Sequence, residues 1–137
     1  MSAKKRARSR AVAAVGNGRA MTNKVNVDDI SRLEANVREV RHRVETTGRD
    51  AYGRLCDLAK RRAAARMPFG VQEWAEWERR HGTTDSEGNP FKVNNTHLPI
   101  YARILACDLP EVRPYVELRA SVYDALFPEL GGADATV

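Results

Sequence analysis

FGVQEWAEWERRHG, residues 69–82, holds both tryptophans of the chain. Trp74 and Trp77 stand three apart, so on a helix they share one face with Val71. Each indole buries on the order of 200 Å² when packed. Base-stacking platforms usually have basic neighbours. The neighbours here are Glu73, Glu76 and Glu78, which repel a phosphate backbone. The stretch therefore reads as a scaffold helix over 71–81, with both tryptophans in a helical core. Contact with a polyanion then belongs to other elements.

Two helices precede it. Asn26 or Asp28 caps the first, and Asp28 and Asp29 face its positive end. Ile30, Leu33, Val37, Val40 and Val44 then recur at spacings of 3, 4, 3 and 4. That is an a/d seam over two heptads between charged flanks. It suits an antiparallel helical hairpin or an oligomer contact with a sister subunit. Gly48 ends the helix. The second helix, over about 50–66, has Tyr52, Leu55, Cys56, Ala59 and Ala63 on its apolar stripe. Arg54, Lys60, Arg61, Arg62 and Arg66 form a basic face. Met67-Pro68-Phe69-Gly70 breaks it.

On the other side, residues 82–93 carry turn chemistry, and a short β-hairpin is expected over 83–93 with Phe91 and Val93 inward. A fourth helix spans 94–106, with Pro99 tolerated in its first turn. A fifth starts at Asp108 with capping-box spacing to Glu111 and runs to about Leu126. No repeat and no parallel-sheet pattern occurs. The expected fold is all-α: a helical hairpin over 26–66, a helix-turn-helix-like three-helix module over 67–130, and a frayed tail over 131–137.

Charge divides the chain. Residues 1–27 hold seven basic side chains and no acid, residues 28–66 carry a net +3, and residues 67–137 a net −5. Residues 1–25 are too small and polar to bury a core, so a disordered basic arm is expected there. Its Lys4, Lys5, Arg6, Arg8 and Arg10 suit phosphate neutralisation, which is salt dependent and blind to sequence. The asymmetry suits a protein that meets a polyanion at one end and another partner elsewhere.

In a helix-turn-helix the second helix offers its N-terminal polar residues to base edges. The fourth helix opens with Asn94, Asn95, Thr96 and His97. Asparagine reads adenine through a bidentate pair, and Thr or His reaches bases or phosphates. The plainer reading is a capped helix start with a solvated histidine. The order YGRLCDLAKRR, FGVQEWAEWERRHG, NNTHLPIYARILA resembles a family of small phage- and plasmid-borne proteins. Its pattern is a helix ending in Ala-Lys, a helix with Trp-x-x-Trp, and a second helix-turn-helix helix with a Tyr and an Arg. The matching residues are Tyr52, Leu55, Ala59, Lys60, Gly70, Trp74, Trp77, Gly82, Tyr101 and Arg103. The chain differs by its loop near 83–93 and by two extra residues between Gly70 and Trp74. The resemblance implies DNA binding in a mobile-element setting, without catalysis.

Enzymatic readings are weaker. Cys56 and Cys107, 51 positions apart, have no zinc, redox or disulfide spacing and read as buried thiols of a reducing, cytoplasmic compartment. His42 lies on a charged helix face. His81 and His97 flank Asp85, Glu87, Asn94 and Asn95, without the strand and helix spacing of a metal nuclease. No Gly-rich phosphate loop, nucleophile elbow, HExxH or CxxC occurs. No cofactor, no metal and no membrane span are expected. The expected role is a DNA-binding protein on double-stranded DNA: a transcription or replication regulator, or the small DNA-recognition subunit of a packaging terminase. It would be oligomeric, bound to a larger protein partner or associated with a virion. The alternative is a structural virion or adaptor protein. It would use the basic arm and the acidic C-terminal half to bind protein partners.

Overall fold

The computed structural model describes residues 27–130. The basic arm, with Lys4, Lys5, Arg6, Arg8 and Arg10, and the tail at 131–137 lie outside the described residues. The chain divides into Met1–Arg32 and Leu33–Val137. Of the first unit only the opening of α1 is described. There Arg32 pairs with Asp29, and Ile30 is 40% exposed.

Four α-helices form the described chain: α1 (Val27–Glu45), α2 (Arg49–Ala64), α3 (Val71–Arg80) and α4 (Leu98–Asp108). A 3-10 turn at Asn95–His97 leads into α4. Two more, Pro110–Tyr115 and Val122–Leu126, follow it. The fold is mostly helical.

The ends of α2 and α3 show how local chemistry stops a helix. Both use a residue in the left-handed region that returns two amides to the last turn, a Schellman motif. At α3 the residue is Gly82, φ +56°, with Gly82 N donating to Arg79 O and Thr83 N to Glu78 O. At α2 it is Arg66, φ 58°, with Arg66 N donating to Ala63 O at 3.0 Å and Met67 N to Arg62 O at 2.9 Å. A side chain in that conformation is strained by about 1 kcal/mol. Pro68 then prevents continuation.

Helix α4 is central. Every residue from 100 to 106 is buried, Arg103 included. Trp74 of α3 packs on Tyr101 at 5.2 Å and on Phe91 at 5.9 Å, both tilted, and its Nε1 donates to Ala51 O at 3.0 Å. Ala51, Leu55 and Ala59 bury the stripe of α2. Val37, Val40 and Val44 bury the seam of α1 in the same core. That seam is used within the chain, so these three valines are not an oligomer contact. Leu33 is half-buried, and only Ile30 of the five is exposed.

Other expectations are corrected. The helices α1 and α2 are joined by a short turn at 46–48, where Gly48 N donates to Arg43 O at 2.9 Å. A Cβ at Gly48 would lie 3.1 Å from the Phe91 ring. Helix α2 packs on α3 and on the Pro110–Tyr115 turn, and it shares one core with Val37, Val40 and Val44 of α1. The expected fifth helix is replaced by the two 3-10 turns with extended chain between them. Pro110 and Pro114 remove donors from a longer helix, and Val116 enters a parallel bridge with Phe69. The hairpin at 83–93 reduces to a single bridge, Thr84 with Pro90. The Asp85 carboxylate holds its turn by accepting from Glu87 N and Asn89 N, and Gly88 supplies φ +85°. Phe91 points inward as expected, and Val93 is half-buried.

The C-terminal segment is strapped to α4 by Arg103. Its guanidinium donates to Asp124 Oδ1 at 2.8 Å, Pro99 O at 3.0 Å and Arg119 O at 2.6 Å. Asp124 in turn belongs to a capping box with Ser121.

Candidate nucleic-acid interface

Helix α3 explains the site. Seven residues make nearly two turns, so Glu78 lies under Val71, in line with Trp74 and Ala75. Those four are the buried residues of α3. Trp77 falls on the flank and is 36% exposed. It is therefore not a core residue, contrary to the expectation from its i, i+3 spacing with Trp74. The period itself signals this, because a stripe through 71, 74, 75 and 78 excludes 77.

A carboxylate on a buried stripe needs a partner. Glu78 is 1% exposed and receives two hydrogen bonds from Arg54 of α2, both 2.8 Å, and one from Thr83 Oγ1 at 2.6 Å. The Glu78 hydrogen bond holds Arg54 above its ordinary range. Next to it, Arg62 of α2 forms a two-pronged pair with Glu73 of α3. These pairs bind α2 to α3. They also neutralise two of the carboxylates that would repel a phosphate backbone.

Between the helices lies a groove of about 310 Å³. Its open lining includes Leu58, Trp77, Arg61, Arg80 and Asp57. Arg61 and Arg80 are exposed and have no ion-pair partner among the described residues, and the same holds for Lys60, Arg66 and Arg79. The Trp77 ring is held in place: His81 stacks on it at 4.1 Å and 22°, and His81 Nδ1 lies 2.9 Å from Trp77 O. The basic face expected on α2 is thus split. Lys60, Arg61 and Arg66 remain open to a ligand. Arg54 and Arg62 are committed to α3.

The expected base-reading group does not assemble. His97 is buried, at 7% exposure, and cannot reach a base. Residues 94–97 form a cap and a 3-10 turn rather than the first turn of α4. Asn94 Oδ1 accepts from Thr96 N at 2.9 Å and Thr96 Oγ1 at 2.8 Å. Asn94, Asn95 and Thr96 are exposed, but α4 beyond them has no solvent face along 100–106 to lay into a groove. The sequence pattern does not single out Arg80 and Trp77 as site residues. Their exposure depends on how α2 covers α3.

Elsewhere the titratable groups serve structure. Tyr52 OH donates to Asp108 Oδ2 at 2.6 Å, and burial pushes its hydroxyl well above the ordinary range. Burial also raises the Cys56 thiol, and pushes Cys107 up to about 11. Both cysteines are free and half-buried. Among the described residues no group of three or more His, Cys, Asp or Glu is placed to hold a metal. Among those residues no helix is long and apolar enough to cross a membrane. No protein-family model, no curated protein and no solved structure matches the chain.

Proposed function

We propose that this chain is a non-catalytic DNA-binding protein whose folded contact surface is the outer side of α2 and α3. The observation that carries the reading is the groove in which the unpaired Arg61 and Arg80 stand beside the exposed Trp77, with the unpaired Lys60 and Arg66 on the same helix as Arg61. Each such cation that meets a phosphate releases a counterion and adds affinity. The seven basic residues of 1–27 extend the same chemistry along the chain. A mobile-element setting, as a regulator or as a terminase small subunit, is what the sequence resemblance over 52–106 implies, and it rests on that resemblance alone.

The test is duplex binding across a salt series. Neutralising Lys60, Arg61, Arg66 and Arg80 together should weaken binding on every sequence. It should also flatten the log–log salt slope by about 0.9 per lost phosphate contact. Neutralising Arg62 together with its partner Glu73 should leave the slope unchanged, because that pair carries no net charge. Binding that disappears when residues 1–25 are removed would refute the folded surface and favour the adaptor reading.

A further inference from the structure

We propose that the groove between α2 and α3 seats an unpaired base of single-stranded DNA. Trp77 is the stacking shelf, and Arg61 and Arg80 hold the flanking phosphates. The inference rests on the nucleic-acid reading above and specifies which form of DNA this groove takes.

Three observations carry it. The first is the state of the Trp77 ring. It is exposed, yet fixed by the His81 stack and by the tether from His81 Nδ1 to Trp77 O. A ring held before binding loses little freedom when a base settles on it. The second is charge. Arg61 and Arg80 reach the groove with no ion-pair partner among the described residues. The lining carboxylate Glu73 is neutralised by Arg62, which leaves Asp57 against two cations. An anionic occupant is favoured. The third is size. About 310 Å³ lies at the small end of ligand sites and suits one nucleotide rather than a helix or a strand of protein. In a duplex the base faces are covered by their neighbours, so only a strand with unpaired bases can use the indole face.

The experiment uses the full chain, with oligo(dA) as the strand and oligo(dA)·oligo(dT) as the duplex. Binding is followed by anisotropy and by tryptophan emission. Base stacking on Trp77 should quench part of the emission with the strand and none with the duplex. Trp77→Phe leaves only Trp74, which lines the groove but is 1% exposed, so most of the quenching should be lost. Its phenyl ring should still bind the strand. Trp77→Ala should lower strand affinity about tenfold, the effect of losing one stacked base. Duplex affinity should stay within about twofold, since phosphate contacts supply it. If Trp77→Ala leaves strand affinity unchanged, or weakens strand and duplex equally, the stacking site is refuted while DNA binding stands. If the unmodified chain binds neither strand nor duplex at low salt, the nucleic-acid reading fails and the groove proposal with it.

Discussion

Trp74 and Trp77 are the same residue type, one turn apart on α3, and they belong to two different regions. Around Trp74 the packing is closed. The indole donates to Ala51 O at 3.0 Å, and its ring meets Tyr101 and Phe91. Around Trp77 two arginines stand without partners and the ring meets solvent. The inner region is held by packed rings and the indole hydrogen bond. The outer region keeps free charge and a partly exposed ring, one face of which stacks on His81. The proposed DNA contact lies where the packing leaves charge unpaired.

The sharpest way to break the comparison is to truncate each ring. Trp74→Ala should cost about 3–5 kcal/mol in urea unfolding, as for other large core aromatics. Trp77→Ala should cost less, about 1–2 kcal/mol, because the ring is 36% exposed but packs on His81. Equal losses would mean that both rings are core.

The two α2–α3 ion pairs come next. Arg54→Met strands the buried Glu78 carboxylate and should cost about 3 kcal/mol, the low end for a buried pair because Arg54 itself reaches solvent. Arg62→Met breaks an exposed pair and should cost under about 1 kcal/mol. Denaturant midpoints of the two variants decide the matter.

Arg66 is expected to behave in opposite ways in two assays. Arg66→Gly relieves the left-handed strain and should stabilise the chain by about 1 kcal/mol. Removing its cation should weaken duplex binding by one phosphate contact. A loss of stability together with unchanged binding would place Arg66 in the scaffold.

Hydroxyl deletions give a smaller contrast. Tyr52→Phe loses the bond to Asp108 and should cost about 1 kcal/mol. The buried Tyr101 hydroxyl makes no hydrogen bond of ordinary geometry among the described residues, although the Arg43 guanidinium lies near it. Tyr101→Phe should therefore be neutral or slightly stabilising in the same unfolding assay.

The mildest test is chemical. Only thiolate is alkylated readily, and burial raises both cysteines, Cys107 to about 11. Labelling at pH 8 should be far slower in the folded chain than in urea, and should climb as pH rises toward 11. The sign for stability follows. The unfolded thiol ionises first, near pH 8.5, so the contribution of Cys107 is complete below that pH and is lost as pH rises toward 11.

Much of this molecule was legible from local pattern. The period of α1, the stripe of α2, the turn residues of 82–93 and the inward Phe91 depend on neighbours within a few positions. A local reading sees them because helix geometry repeats over that range. The expected fifth helix failed on the same scale, since Pro110, Pro114 and a bridge from Val116 to Phe69 outweighed an apolar pattern. The candidate site was legible only in half. Arginines on α2 were visible, but not which of them were free. Arg54 meets Glu78, and Arg62 meets Glu73, across a helix boundary. His97 followed the same logic: it looked like a polar helix start and was closed off by packing from elsewhere in the chain.

The sequence by itself determined the helical class, the places where helices stop and the gradient of charge, because these follow from backbone propensity, side-chain period and composition. Tertiary structure alone decided that Trp77 shares a groove with Arg61 and Arg80, that Glu73 and Glu78 are neutralised, and that α4 is enclosed. The physical reason is desolvation. Whether a charge or a ring is paired, buried or left to a ligand depends on which distant segment takes the place of water around it.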